Sequence, residues 1–362
     1  MQAALLYGKE DVRLEDVPAP TPATGEVVLR VRAATTCGTD LKVWRRGGHA
    51  KMLTLPTLFG HEVAGEIAAL GEGVTGWTVG DRVVANNSAP CGQCFFCQKQ
   101  EFSLCSNLCF NNGTFAQYLR VPAPIVQQNL LSIPHGMPDS LAAMTEPLAC
   151  VLHGIARSNV KPGDRVLVLG DGAIGLMFVA ALTTGYGFMS PHAVKGELQG
   201  TGSGGACPQV FLLGGSPARL QVGEAFGAAK TFLYRQVEDV PALVRSLTEG
   251  WGADVVIEAT GVPSVWELAI ACARPGATVN LFGGCPRDTT ITVNTDRLHY
   301  SELTLKGVFH NTPQWVRAAL AMLEQSSIPF PLLISDTRPL KDLERSLADM
   351  RDRTVIKVSM QP

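Results

Sequence analysis

The sequence predicts an α/β protein in which a β-rich domain is followed by a doubly wound parallel sheet. The chain has 362 residues, 46% of them apolar, which is more than one hydrophobic core usually serves. Short apolar runs broken by glycine and proline fill about the first 85 residues, a pattern typical of antiparallel strands and tight turns. Near residue 165 the pattern changes to a continuous apolar strand, a glycine-rich turn and an apolar helix.

The charge balance excludes several classes of partner. Lysine and arginine number 30 and aspartate and glutamate 32, and no basic run is long enough to follow a phosphate backbone, so we expect no nucleic acid partner. Neither a leader pattern nor a stretch of roughly 18 uncharged apolar residues is present, so we expect a cytoplasmic protein without membrane contact.

The stretch 37–62 carries the first candidate metal ligands. Cys37 begins a Cys-Gly-Thr-Asp sequence and His61 lies in a Gly-His-Glu sequence. Thiolate and imidazole both bind zinc, and three protein ligands plus water form an open, catalytic site. Glu146 is the third candidate, although the fold must bring it back to the other two. Taken singly, Cys37 and His61 would be better explained as a buried thiol and a core histidine, but their context favours zinc.

Four cysteines close together predict a second metal site. The chain has ten cysteines, and four of them fall within fifteen positions. Four thiolates can surround one tetrahedral zinc ion without leaving room for water or substrate, so such a zinc is structural. We prefer this interpretation to free cysteines in an exposed loop, and we expect Cys109 to lie outside the site. The predicted ligands are Cys91, Cys94, Cys97 and Cys105.

The segment 166–175 has the pattern of a dinucleotide-binding turn. Its three glycines would allow a tight turn, close approach of a pyrophosphate and close packing of the following helix. The later apolar strands at 255–257 and 278–282 also run into glycine-bearing turns, where a ligand of a parallel sheet would bind. The candidate cofactor-binding residues at this edge are Gly170, Gly172, Ala173, Ile174, Gly175, Thr260, Gly261, Phe282 and Gly283.

Residues 185–209 interrupt the expected connection between the first helix and the next strand. The segment holds seven glycines, whereas helix-to-strand connections usually take about 2–6 residues in all. We interpret it as an atypical insertion that contributes no chemistry, and we assign no ligand role to His192 or Cys207.

The second strand of the predicted parallel sheet covers residues 210–213, and the sequence at its end bears on the choice between NAD and NADP. A carboxylate about 20 residues after the glycine turn usually holds the ribose 2′-hydroxyl of NAD. After correction for the insertion, that place is taken by Gly214, followed by Gly215 and Ser216. The absence of an acid, with Ser216 and Arg219 as possible phosphate donors, favours NADP or use of both cofactors.

With these motifs in this order, the chain resembles the zinc-dependent medium-chain alcohol dehydrogenases, most of all the sorbitol (L-iditol) and threonine dehydrogenase branch. The resemblance implies a GroES-like catalytic domain at 1–153, which includes the 91–109 zinc lobe. It further implies a Rossmann domain at 154–291 and a return to the catalytic domain at 292–362. A small-molecule alcohol or ketone substrate and a homodimer or homotetramer are expected.

The resemblance also implies roles for individual residues. The catalytic zinc would be held by Cys37, His61 and Glu146, with Glu62 as a fourth or exchanging ligand, and the four-cysteine zinc would be structural. Hydride would pass from a secondary alcohol of a polyol or sugar derivative to NAD(P), while the Thr39 hydroxyl passes the proton outward. Thr39 could instead be a turn residue, and Lys42 stands where relatives often carry a relay histidine.

Two other functions remain open at this point. One is a zinc-stabilised NAD(P)H-binding protein without turnover, which the intact candidate ligand set argues against. The other is an enone or quinone reductase on the same scaffold, which would need neither the cysteine lobe nor the catalytic ligands.

Overall fold

The computed structural model describes residues 1–48, 53–185, 207–325 and 327–362. This part of the chain divides into two compact units. The first comprises Met1–Ala149, Asn311–Gln325 and Phe330–Pro362, and the second is built mainly of Cys150–His310. The sequence prediction placed the domain boundaries after residues 153 and 291. In the structure the second unit begins at Cys150 and continues to His310, beyond the predicted end.

The first unit is rich in β-structure, as the turn-punctuated sequence predicts. Its glycine-separated apolar runs form short strands, and the two longest of these pair antiparallel in the middle of a sheet. The elements up to the end of the first long segment are β1 (Gln2–Gly8), β2 (Asp11–Asp16), β3 (Val27–Thr35), α1 (Gly38–Arg46), β4 (Thr57–Leu58), β5 (Val63–Leu70), β6 (Arg82–Ala85), β7 (Ser88–Ala89), α2 (Phe95–Gln98), β8 (Cys109–Phe110), β9 (Tyr118–Val121), α3 (Ala123–Asn129), β10 (Leu130–Ser132), α4 (Asp139–Ala142) and α5 (Thr145–Arg157).

The second unit is the predicted doubly wound parallel sheet. Its elements are β11 (Arg165–Leu169), α6 (Ala173–Thr183), β12 (Gln209–Gly214), α7 (Pro217–Ala225), β13 (Lys230–Leu233), α8 (Val240–Leu247), β14 (Ala253–Glu258), α9 (Pro263–Cys272), β15 (Ala273–Leu281), α10 (Thr295–Tyr300) and β16 (Thr304–Gly307). The strands lie in the order β13-β12-β11-β14-β15-β16, and every neighbouring pair is parallel. The chain adds its first three strands towards one edge of the sheet and the next three towards the other, so the switch point lies between β11 and β14. Ligands of such sheets bind beyond the carboxyl ends of the strands at this switch point.

The uninterrupted apolar runs of the central strands follow from this architecture. Leu167, Val168 and Val256 are at most 2% exposed, because strands of a parallel sheet carry helices on both faces. β16 forms the sixth strand, which keeps the segment 292–310 in the second unit rather than in the returning segment.

The chain then returns to the first unit through α11 (Pro313–Gln325), β17 (Ile334–Pro339), α12 (Leu343–Arg351) and β18 (Lys357–Gln361). β18 pairs antiparallel with β3 and parallel with β17, which completes a seven-stranded sheet. This pairing places the last strand of the chain beside the segment that carries the first candidate metal ligands.

Most of the predicted insertion at 185–209, including His192, lies outside the described residues. Cys207, which is described, is exposed. None of the helices in the described ranges combines the length and apolar character that crossing a bilayer would require.

Candidate active site

Cys37 lies at the start of α1, where it acts as the N-cap residue. The backbone N–H of Thr39 donates to Sγ of Cys37 at 3.4 Å, and the N–H of Cys37 donates to Oδ2 of Asp40 at 2.9 Å. The backbone N–H of Asp40 also donates to the Cys37 side chain, so Cys37 and Asp40 form a reciprocal capping box. The start of the helix therefore fixes both the thiol and the Asp40 carboxylate.

The same carboxylate orients His61. Nδ1 of His61 lies 2.9 Å from Oδ1 of Asp40, and both side chains are buried. Burial lowers the pKa of His61, but the charges of Asp40 and Cys37 outweigh it and raise the pKa well above its ordinary value. With Nδ1 held by Asp40, Nε2 is the nitrogen left for a metal ion, which would displace the ring proton.

Glu62 is fully buried and is held by a cation from the far end of the chain. Nζ of Lys357 lies 2.9 Å from Oε1 and 2.6 Å from Oε2 of Glu62, and the Thr35 hydroxyl donates to Oε2. Burial lowers the pKa of Lys357, but the charges of Glu62 and Cys37 raise it by more than burial lowers it, so the pKa lies above its ordinary value. Lys357 and Glu62 therefore form an ion pair inside the protein.

The structure brings together three of the four predicted catalytic zinc ligands. One donor atom each from Cys37, His61 and Glu62 lies within 4.8 Å of the others. Sulfur, nitrogen and carboxylate oxygen are the donor types that zinc takes, so this set fits the ion. Beside them, Thr39 is half-buried and lines a small pocket together with His61 and Asn112.

Glu146, the remaining candidate ligand, is not part of that donor group among the described residues. Its Oε1 accepts a hydrogen bond from Nδ2 of Asn311 at 3.4 Å, and Oδ1 of Asn311 accepts one from Asn86 at 3.1 Å. All three side chains are buried, so a network of amides holds the Glu146 carboxylate. Its role as a zinc ligand stays a prediction.

The four cysteines of the predicted structural site converge. Their sulfur atoms all lie within 4.8 Å of one another, with Cys91 and Cys97 at 4.0 Å and Cys94 and Cys105 at 3.8 Å. Thiolates bound at about 2.3 Å to a tetrahedral ion would be roughly 3.8 Å apart, so the spacing fits zinc. Backbone N–H groups of Cys97 and Ser106 lower the pKa of Cys94 to about 6, whereas burial raises the pKa of Cys97 to about 12. Cys109 is not in this group.

The predicted glycine turn lies at the switch point of the parallel sheet. A Cβ on Gly175 would lie 1.8 Å from the backbone oxygen of Gly170, so any side chain there would prevent the close packing of α6. Gly172, Ala173 and Ile174 are half-buried at the start of α6, where N–H groups face an approaching anion. This turn fits a dinucleotide pyrophosphate.

The turns that follow β14 and β15 lie beside the glycine turn, and the side chain that orders the first of them, Glu258, was not among the predicted cofactor-binding residues. Buried Glu258 accepts hydrogen bonds from the N–H groups of Thr260 at 2.7 Å and Gly261 at 3.0 Å. A Cβ on Gly283 would lie 2.2 Å from the nitrogen of Gly261, so the two turns pack closely. Phe282 packs edge-on against Phe178, with ring centroids 5.0 Å apart, and its role at the cofactor stays a prediction.

At the end of β12 the space beside Gly214 is filled by Asp171. Oδ2 of Asp171 accepts hydrogen bonds from the N–H of Gly215 at 2.8 Å and of Ser216 at 2.7 Å. Ser216 is the N-cap residue of α7, and Arg219 lies half-buried in its first turn. The sequence analysis predicted no acidic residue at the end of β12, and β12 itself has none there. The carboxylate of Asp171, however, reaches this position from the glycine turn.

Comparison with known proteins agrees with this geometry. Residues 23–134 match the alcohol dehydrogenase GroES-like domain, and residues 198–325 match the zinc-binding dehydrogenase family. A sorbitol dehydrogenase from Halalkalibacterium halodurans is 30% identical, with 98% of this chain and 97% of the relative covered. The chain belongs to the zinc-dependent medium-chain alcohol dehydrogenases. The predicted family and its two-domain α/β fold are thus confirmed, and this alcohol dehydrogenase is an oxidoreductase.

Two further relatives of this alcohol dehydrogenase are informative. An L-threonine 3-dehydrogenase from Pyrococcus horikoshii is 31% identical, with 83% of this chain and 80% of the relative covered. The structure of a zinc-binding dehydrogenase from Sinorhizobium meliloti bound to NADP superimposes with a TM-score of 0.85. The two chains are 26% identical, and the match covers 100% of this chain and 99% of the other.

Several residues that shape the site of this dehydrogenase were missed by sequence reasoning. Asp40 had a local signal, because an acid three residues after a helix N-cap indicates a capping box. Lys357, Thr35 and Asn311 had none, since they approach their partners only through the fold. Asp171 lay within the recognised glycine turn, but the direction of its side chain could not be inferred from the turn pattern.

Proposed function

We propose that this dehydrogenase transfers hydride between a secondary alcohol of a polyol or sugar derivative and NAD(P). The observation that carries the proposal is the convergence of Cys37, His61 and Glu62 donor atoms within 4.8 Å of one another, beside a small pocket that Thr39 lines. The similarity to sorbitol and L-threonine 3-dehydrogenases supports secondary alcohols as the substrate class. The predicted carboxylate ligand Glu146, where ethanol-type enzymes usually use a thiolate, points the same way.

The residues of the chain have distinct tasks in this reaction. Cys37, His61 and Glu146 would hold the zinc ion, with Glu62 as an exchanging ligand. When bound, zinc supplies a Lewis acid for the alcohol oxygen and the nicotinamide supplies the hydride acceptor. Asp40 holds Nδ1 of His61 and so orients the ring. The Thr39 hydroxyl passes the alcohol proton outward.

The cofactor in this proposal is a nicotinamide dinucleotide held at the glycine turn of α6. A preference for NADP was predicted from Gly214 in place of an acid, with Ser216 and Arg219 as phosphate donors. The position of Asp171 beside Gly214 weakens the basis of that preference.

The experiment compares kcat/KM for sorbitol, xylitol, threonine, ethanol and 1-butanol with both cofactors. Cys37→Ser should abolish turnover without changing the circular dichroism spectrum, whereas Cys207→Ser, at an exposed thiol, should keep wild-type activity. A preference for ethanol and 1-butanol over sorbitol, xylitol and threonine would refute the substrate class. Full activity of Cys37→Ser would refute the site.

Two broader features complete the proposal. We expect a homodimer or homotetramer, as the family resemblance implies, and light scattering after size exclusion would give the mass. We also expect the protein to act in the cytoplasm, because its chemistry depends on reduced cysteines and on a cellular dinucleotide pool.

A further inference from the structure

The adenosine end of the cofactor site distinguishes NAD from NADP. From the proposed function, only the binding of a nicotinamide dinucleotide at the glycine turn is needed here. In doubly wound sheets the end of the second strand faces the adenosine ribose, where a carboxylate normally holds the 2′-hydroxyl. In this chain that strand is β12, and it ends in Gly214. The strand itself therefore offers no acid.

The missing carboxylate is supplied by a different part of the chain. A Cβ placed on Gly214 would lie 2.5 Å from Cβ of Asp171 and 2.7 Å from its Oδ2. The side chain of Asp171 thus occupies the volume that an acidic residue at position 214 would need. Only 3% of Asp171 is exposed, which shows that its side chain is packed into this position rather than directed into solvent.

The hydrogen bonds of Asp171 remove potential donors for a phosphate. Successive backbone N–H groups at a helix start form a concave site that binds anions, including phosphate. Here the N–H groups of Gly215 and Ser216 already donate to Oδ2 of Asp171, at 2.8 and 2.7 Å. A 2′-phosphate at this place would find those donors engaged and a carboxylate behind them, whereas a 2′-hydroxyl carries no charge to be repelled.

We propose that Asp171 is a specificity-determining residue that makes this dehydrogenase prefer NAD(H) over NADP(H). It does so through its negative charge and through the two N–H groups that it holds. This inference reverses the preference predicted from the sequence, because that prediction considered only the residue at the end of β12. It also makes Gly214→Asp an unsuitable test, since the new side chain would overlap Asp171.

The test measures dissociation constants of NADH and NADPH by isothermal titration calorimetry at fixed ionic strength, independently of turnover. Wild type should bind NADH at least tenfold more tightly than NADPH. Asp171→Asn keeps the shape and an oxygen that accepts N–H groups but removes the charge, so it should reduce this ratio at least tenfold, mainly by tightening NADPH binding.

Asp164→Asn is the matched control. Asp164 also accepts a backbone hydrogen bond, from the N–H of Lys161 at 2.7 Å, but it precedes β11 at the opposite edge of the sheet. The control removes the same charge and should leave the NADH to NADPH ratio unchanged. An equal change in both variants would show that net charge, and not Asp171, sets the ratio, and would overturn the inference.

The outcomes separate this inference from the proposed function. Wild-type protein that binds neither dinucleotide would refute the proposed function. Wild type that binds NADPH as tightly as NADH, or an unchanged ratio in Asp171→Asn, would overturn the role of Asp171 alone. Asp171→Ser, which can still accept one N–H, serves if Asp171→Asn does not fold, and if neither folds the wild-type ratio decides.

Discussion

The ammonium group of Lys357 lies 2.6 Å from Oε2 of Glu62, and neither side chain is more than 1% exposed. The two residues are 295 positions apart and meet because β18 joins the sheet beside β3. This ion pair lies beside Cys37 and His61, whose donor atoms are within 4.8 Å of a Glu62 oxygen. Because both Glu62 oxygens lie within hydrogen-bond distance of Lys357, a metal ion would compete with this lysine for the carboxylate.

Replacing Lys357 should strongly destabilise the protein. Lys357→Met leaves the Glu62 carboxylate buried without its cation, which typically costs about 3–5 kcal/mol. The free energy of unfolding in urea measures the loss. Lys341→Met, which removes an exposed lysine, should change stability by less than about 0.5 kcal/mol.

A second variant tests whether the loss comes from the unpaired charge. Adding Glu62→Gln to Lys357→Met removes the charge and should recover part of the stability. If the single Lys357→Met variant is as stable as Lys341→Met, the ion pair does not exist in solution.

The parts of the fold that could be predicted from sequence are those with local signals. After Arg165, strand β11 is buried on both faces, so residues 166–169 are all apolar, and the glycine turn follows directly. The four zinc-lobe cysteines lie within fifteen positions, so their spacing alone indicates convergence. In both cases the physical constraint acts on neighbours in the chain.

The parts that could not be predicted depend on contacts between distant segments. No feature near Lys357 indicates that its partner is Glu62, since that contact depends on which strand β18 joins. The acid near the adenosine end was sought by counting residues from the glycine turn, and the insertion made the count fail. Asp171 lies inside the turn, and only the backbone geometry shows that its side chain reaches Gly214.

The cysteine lobe should bind one zinc ion that supports stability and not chemistry. Cys94→Ser should reduce the zinc content by one ion per chain and lower Tm by several degrees, because a structural zinc site contributes folding free energy directly. Mass spectrometry for metal content and calorimetry for Tm are the measurements. Cys109→Ser, outside the converging sulfur atoms, should keep both zinc content and Tm. Equal metal content in the two variants would contradict the assignment.

Thr39 should affect turnover through its hydroxyl group. Thr39→Val keeps the shape but removes the proton path, and loss of a positioned proton-transfer group typically lowers kcat by about 10²–10⁴-fold. Thr39→Ser retains the hydroxyl and should stay within about tenfold of wild type. Steady-state kinetics at saturating cofactor separates kcat from KM. A Thr39→Val enzyme with wild-type kcat would show that Thr39 is only a turn residue.

Cys272 should make the stability of the second unit depend on alkaline pH. This thiol at the end of α9 is 2% exposed, and burial raises its pKa to about 12, against about 8.5 for an unfolded cysteine. Between these values the unfolded chain loses the proton while the folded chain keeps it. The contribution is therefore fully present below about pH 8.5 and is lost as pH rises towards 12, by up to about 1.4 kcal/mol per pH unit.

Removing the thiol should remove this dependence. The unfolding free energy of wild type should fall by about 1 kcal/mol more than that of Cys272→Ala when the pH is raised from about 9 to about 10. Chemical denaturation at the two pH values gives the difference. Cys207→Ala, which removes an exposed thiol, should keep the wild-type pH profile. Parallel profiles for wild type and Cys272→Ala would mean that Cys272 titrates in the folded protein as it does in the unfolded chain, because water reaches the end of α9.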